Sequence, residues 1–229
     1  MYYSIFLYLA DFFHKKKILS FLKKFDSEVR IIYDVGCHDC SYVKIFCNIF
    51  NDIKIYAFEA NPDLITKAKK NIKNFNNVKL IQVGVGNSNK YENFNINSNN
   101  LTSTFQNLNK KSKVYKIKNI IGQNVSYKKK IKVTTLQRFI SKNNLPDFIK
   151  IDVEGYEYNV LLGLKKELKK IKILMIEYRH DSLYLNYDNK LIDELLKKNK
   201  FKLVKKLKFP FLPFEDRFYI NEDQLKGYF

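Results

Sequence analysis

From Arg30 onward, apolar runs of strand length alternate with stretches whose apolar residues recur at helical spacing, and no other feature constrains the fold as tightly. Ile31 to Val35 is a short apolar run closed by Gly36, followed by helical spacing from Ser41 to Phe50. A second run, Ile53 to Phe58, stops at Glu59-Ala60-Asn61-Pro62, and Pro62 suits the first turn of a helix through Leu64, Ile65, Ala68 and Ile72. Val78 to Val83 reads as a third strand. The stretch from Asn87 to Lys130 is rich in Asn and Lys and weakly periodic, and reads as small strands and loops over one edge or as a tethered disordered insert. Ile131 to Thr134 then reads as a brief strand and Leu136 to Ser141 as a helix. Phe148 to Val153, a helix from Tyr156 to Lys170 and the strand Ile173 to Glu177 resume the alternation. A helix from Lys190 to Lys198 leads to Phe201 to Leu207 and Arg217 to Ile220, joined so briefly that they predict an antiparallel hairpin. The expected architecture is α/β, a mostly parallel seven-stranded sheet with right-handed crossovers, a C-terminal antiparallel hairpin and helices on both faces. Residues 1–29 read as an N-terminal helical segment and 30–229 as one domain.

Composition bears on partners mainly through charge. A net charge of +19 points toward a polyanion. The excess is Lys, however, with Arg30, Arg138, Arg179 and Arg217 the only arginines, and Arg is the residue that bidentate phosphate and base recognition favours. A solvated Lys-rich surface is therefore the preferred reading, with nucleic acid kept as a rival. Cys37, Cys40 and Cys47 are an odd set, which argues against a disulfide framework and for a reducing compartment. Cys37-His38-Asp39-Cys40 lacks the second ligand pair that a structural zinc needs, and reads as neither zinc site nor disulfide, with a redox pair as the alternative. Tyr2 to Phe13, followed by His14 and three lysines, is too short to span a bilayer and lacks the basic region of a secretory signal. A cytoplasmic location is expected, the segment either packing on its own domain or lying on a membrane interface.

Open α/β sheets bind ligands at the carboxyl ends of their strands, beside the switch point. Gly36 there lets backbone approach a ligand, and Asp34 can hold the loop or receive a ligand ammonium. Glu59, at the end of the second strand, is placed to accept from a ribose diol, or else is a carboxylate capping the turn at Pro62. No G-x-G-x-x-G follows the first strand, so the amide cradle for a dinucleotide pyrophosphate is missing. A cofactor with a ribose and no phosphate satisfies both observations, and S-adenosylmethionine is such a cofactor.

The chain at this point resembles the FkbM family of methyltransferases. Asp34-Val35-Gly36 with Ser41 is similar to its first motif, and Ala57-Phe58-Glu59-Ala60-Asn61-Pro62 to its A-F-E-P-N-P. The long block Asp147-Phe148-Ile149-Lys150-Ile151-Asp152-Val153-Glu154-Gly155-Tyr156-Glu157 is close to its D-F-I-K-I-D-V-E-G-x-E, continued by Val160, Leu161 and Gly163. Departures are Cys37-His38 for the usual Ala-Asn, Cys40 for the second glycine, Ala60 for a proline and Gln137 for an Asp. The resemblance implies a Rossmann-like methyltransferase fold, S-adenosylmethionine as cofactor and methylation of oxygen. With the strand-end positions, it makes Asp34, Gly36, Cys37, Ser41, Glu59, Ala60 and Val85 the candidate cofactor-binding residues.

Because a sulfonium methyl is already activated, the protein must chiefly align the acceptor and accept a proton. Asp152 and Glu154 are the candidates to orient a hydroxyl, or they are a helix cap and a loop anchor. His180, beyond the next strand end, is the candidate neutral-pH base. No metal ligand is assigned, although a divalent ion at the two carboxylates stays open. Phe211 and Phe214, between the last two strands, are expected to form one wall of the acceptor pocket with Tyr178 and His180, or else to be hairpin core or a dimer contact. The expected acceptor is a hydroxyl on a glycan or small molecule; the rivals are an RNA methyltransferase and a cofactor-binding domain without catalysis.

Overall fold

Parallel pairing gathers the apolar runs into one sheet in this computed structural model, which describes residues 2–98, 102–120, 125–140, 145–210 and 212–227, with side chains from Leu9 onward. Its strands are β1 (Ile31–Val35), β2 (Lys54–Glu59), β3 (Val78–Gln82), β7 (Phe148–Ile151), β8 (Ile173–Arg179), β9 (Phe201–Lys208) and β10 (Phe214–Asn221). Their spatial order is β3-β2-β1-β7-β8-β10-β9. Only β10 runs against the rest, antiparallel to both β8 and β9. The sheet is thus mostly parallel and seven-stranded, and the hairpin folds back so that its second strand, not its first, joins the parallel core.

Helices cover both faces because buried parallel strands carry apolar side chains on both. On one face α1 (Tyr2–Leu22), α2 (Ser41–Ile49) and α3 (Ile65–Ile72) enclose Ile32, Phe148, Met175 and Phe218. On the other, α5 (Glu157–Leu164) and α6 (Asn189–Lys198) cover Tyr33, Ile149, Leu174 and Tyr219. The N-terminal segment belongs to the first core, where Ile18, Leu22 and Phe25 pack with Val43 and Phe46. Among the described residues no helix is long and apolar enough to cross a membrane.

The stretch read as edge elaboration forms a second sheet, β4 (Gly84–Val85), β5 (Lys90–Asn97) and β6 (Val125–Thr134), in the order β4-β6-β5, and α4 (Lys113–Ile120). β6 is much longer than the expected Ile131 to Thr134, because Ser126 to Lys130 are exposed and carry no apolar signal, their pairing resting on the ladder to β5. The expected helix over Leu136 to Ser141 is a 3-10 turn at Leu136–Arg138. The helix expected to run to Lys170 breaks after Leu164, where Lys165 takes a positive φ and 3-10 turns follow.

Candidate active site

At the carboxyl ends of β1, β2, β7 and β8 the sheet opens into a cavity of about 300 Å³. Strand alternation decides what reaches it. On the face covered by α1 and α2, the apolar positions Ile32, Phe148, Met175 and Phe218 are succeeded two residues nearer the cavity by Asp34, Lys150, Glu177 and Asp216. Asp34 is opposite Lys150 in register, and Glu177 opposite Asp216. A row of buried charges thus crosses the sheet under the cavity.

One end is built from the β1 and β2 loops. The amides of Gly36 and Cys37 both donate to the Phe58 carbonyl at 3.0 Å, drawing the first loop over the second strand. Gly36 has φ +78°, and a Cβ there would overlap the carbonyl of Asp152, so only glycine fits. Glu59 accepts from the amide of His38 at 2.8 Å and of Asn61 at 2.7 Å, leaving lone pairs on both oxygens. Burial pushes its acid up to about 7 against the pull of those amides. Gly36, Cys37, Ser41, Glu59, Ala60 and Val85 all line the cavity. Cys40 does not: it takes the left-handed conformation (φ 62°) in which glycine is favoured and buries its side chain in the core. Its sulfur lies 3.6 Å from that of Cys37, and both thiols are free.

The other end carries acids, one imidazole and two rings. Lys150, almost fully buried, reaches Asp152 at 3.0 Å and Asp34 at 3.5 Å. Glu154 accepts from the Tyr184 hydroxyl at 2.5 Å and Arg179 Nη1 at 3.4 Å, while Arg179 Nη2 donates to Asp181 at 2.6 Å. His14 Nε2 is 2.7 Å from Asp216 Oδ2, with both groups buried, and His14 Nδ1 has no partner among the described residues. Phe209 and Phe214 stack at 4.8 Å beside them. Asp152, Glu154, Glu177, Asp216, His14 and Asp11 line this end together.

Four sequence expectations need correction or restriction. Asp34 lies beneath the cavity, not on its wall, and its partner is the ammonium of Lys150. His180 lies outside the cavity wall, its side chain 44% exposed, with Nε2 3.4 Å from Glu215. Tyr178 follows the same alternation to the opposite face, where its hydroxyl meets Asp193 and Tyr219. Phe211 lies outside the described residues, so of the expected wall only Phe214 is seen at the cavity. Sequence reasoning passed over Lys150, Glu177, Asp216 and His14. A lysine inside an otherwise apolar parallel strand was the legible signal, since Lys is almost never fully buried unless paired.

The methyltransferase FkbM domain matches residues 34–203 of this chain. The chain is 26% identical over 175 residues to the 2-O-methyltransferase NoeI of Sinorhizobium fredii (strain NBRC 101917 / NGR234), a span of 74% of this chain and 70% of that protein. Among solved structures it resembles the magnesium protoporphyrin IX methyltransferase (ChlM) of Synechocystis PCC 6803 with bound SAM, with a TM-score of 0.52, 10% identity and coverage of 93% of this chain and 80% of that one. A protein of the NADB-Rossmann superfamily from Streptococcus agalactiae gives a TM-score of 0.52 at 11% identity, covering 91% of this chain and 67% of that one. These two likenesses concern the fold.

Proposed function

Because the chain belongs to the FkbM methyltransferase family, we propose that it transfers a methyl group from S-adenosylmethionine to a hydroxyl oxygen of a glycan or small molecule. One observation carries the reading: a single cavity has Gly36 and Glu59 at one end and Asp152, Glu154 and the His14–Asp216 pair at the other. The residues suit this cofactor. Glu59 offers carboxylate lone pairs to a ribose diol, Gly36 keeps the loop clear of a side chain, and the acids complement a ligand of net positive charge. When bound, the cofactor supplies a methyl group already activated by its sulfonium. Oxygen as the accepting atom is supported by the 2-O-methyltransferase name of the relative.

The chain's own residues then have two tasks, alignment and proton acceptance. Asp152 and Glu154 orient the hydroxyl. His14 takes over the role expected of His180: Asp216 holds its Nε2–H, leaving Nδ1 to accept the proton. The stacked rings of Phe209 and Phe214 suit the face of a sugar.

Calorimetry with S-adenosylhomocysteine tests the cofactor half, and Glu59→Gln should weaken binding by about 10- to 100-fold. Transfer of isotopically labelled methyl to a panel of sugars and small hydroxyl compounds tests the other half. His14→Gln should then lower kcat and leave cofactor affinity unchanged. Micromolar NAD affinity with no response to either methionine-derived ligand would sink the assignment.

A further inference from the structure

We propose that Asp152, Glu154 and Glu177 form a binding site for one divalent cation at the acceptor end of the cavity. One oxygen from each carboxylate lies within 4.8 Å of the others. Hard cations hold oxygens at roughly 2.0–2.6 Å, which places neighbouring ligand oxygens about 3 Å and opposite ones about 4–5 Å apart, so little movement is needed to close the site. Asp152 directly follows β7 and Glu154 stands in the loop beyond it, while Glu177 lies within β8, the adjacent parallel strand, so sheet and loop together bring the three close.

A second observation singles out Glu177. It is only 7% exposed, lines the cavity, and its Oε2 is buried with no hydrogen-bond partner among the described residues. A buried carboxylate oxygen is normally paired. Here Glu177 faces Asp216 across the ladder and shares its surroundings with Asp152 and Glu154. Lys150 pairs with Asp34 and Asp152, and Arg179 with Asp181 and Glu154; Arg179 and Lys118 act on Glu177 only from a distance, and no ion pair to Glu177 forms among the described residues. A chain of net charge +19 thus gathers acids at one point inside itself and leaves one of them, Glu177, without a direct ion-pair partner among the described residues. Lys150 occupies Asp152 Oδ2, and Tyr184 with Arg179 occupies Glu154 Oε2, so each carboxylate keeps its other oxygen available. Three carboxylates and no thiol or imidazole select a hard ion such as Mg²⁺, Mn²⁺ or Ca²⁺.

Its role rests on the hydroxyl-transfer reading, although its existence does not. With three protein oxygens, the ion keeps positions open for an acceptor hydroxyl and lowers that hydroxyl's pKa. The O–H bond then breaks with its proton passing to His14, and an O–CH₃ bond forms as S–CH₃ breaks. No electrons are exchanged with any other group.

The experiment is titration of chelator-treated protein with Mn²⁺, following free Mn²⁺ by electron paramagnetic resonance, with and without saturating S-adenosylhomocysteine. One Mn²⁺ per chain, displaced by Mg²⁺ or Ca²⁺, is expected. Glu177→Gln and Asp152→Asn should each weaken it by about 10-fold or more, whereas the exposed acid variant Glu222→Gln should not. Cofactor-product affinity in Glu177→Gln should stay within about 3-fold of wild type. The partly exposed Asp152 provides the readout if Glu177→Gln does not fold. Wild-type protein that binds S-adenosylhomocysteine but no Mn²⁺ at millimolar concentration would overturn the site, as would uptake identical in both variants. Mn²⁺ uptake without any binding of S-adenosylhomocysteine would leave the cation site standing and count against the cofactor assignment.

Discussion

Glu157 is fully buried and does its work through one oxygen, which accepts the amides of Val153 at 3.2 Å and Gly155 at 3.1 Å and so shapes the loop carrying Glu154. Its other oxygen has no partner among the described residues, and burial pushes the acid up to about 8, with the amides opposing. Between the ordinary value of 4.5 and about 8 the folded chain therefore holds a proton that the unfolded chain has lost, so stability falls as pH rises through that window. Glu157→Gln keeps the accepting oxygen and removes the titration. Urea unfolding should find it close to wild type near pH 5 and more stable than wild type above pH 8, whereas Glu157→Ala should lose roughly 1–3 kcal/mol at both ends for the two stranded amides. Glu59 titrates in the same direction, with its acid raised to about 7, but on the ligand side. A diol is best received by the carboxylate, so affinity for S-adenosylhomocysteine should fall as pH drops from 8 to 6 and stay flat in Glu59→Gln. A flat wild-type profile by calorimetry would remove Glu59 from the ribose site.

At the scale of elements, the turn from β1 into α2 is where local backbone rules and the site coincide. Gly36→Ala would force a Cβ against the Asp152 carbonyl at a positive φ. It should cost more than about 2 kcal/mol and abolish cofactor binding, a result that thermal unfolding and calorimetry would read separately. Cys40 is the opposite case, a side chain in a left-handed position whose core contacts offset the strain. Cys40→Ala loses contacts and keeps the strain, while Cys40→Gly loses contacts and relieves it. The glycine variant should therefore be the more stable of the two by about 1 kcal/mol, and a less stable glycine variant would contradict the strain assigned to that residue. The elements also explain how far sequence reading reached. Apolar runs located each core strand, but β8 was expected to stop at Glu177 and β10 to start at Arg217, whereas they span Ile173–Arg179 and Phe214–Asn221. The omitted ends hold Arg179, Phe214, Glu215 and Asp216. A strand traced by hydrophobicity fades where its residues turn polar, and in an open α/β sheet that is where the chemistry begins. Gly36, Glu59, Asp152 and Glu154 were legible because short motifs carry them; Lys150 and Glu177 stood in plain view, and the face of the sheet they share had to be seen.

At the scale of the whole molecule, the N-terminal helix and the last strand meet across 202 residues of sequence in the His14–Asp216 pair, a contact that no local pattern announces. Both residues lie outside the matched family span of 34–203, yet both line the cavity that this span builds. The helix is therefore tied to the domain twice, by Ile18 and Leu22 in the core and by a buried hydrogen-bonded pair at the site. The pair is buried, so breaking it from one side differs from removing it. His14→Ala leaves Asp216 buried near Asp152 without its partner and should destabilise the chain by about 3–5 kcal/mol. Asp216→Leu in the same background removes the stranded charge and should restore part of that loss, giving a coupling energy above about 1 kcal/mol in the double-mutant cycle. Hydrogen exchange adds the spatial readout: amides around Ile18 and Leu22 should lose protection in His14→Ala before those of β1 and β7 do, because the helix is released while the parallel core stays closed. Strictly additive mutational effects, or protection lost uniformly over helix and sheet, would show that the pair does not anchor α1, and the case for His14 as a fixed proton acceptor would fall with it.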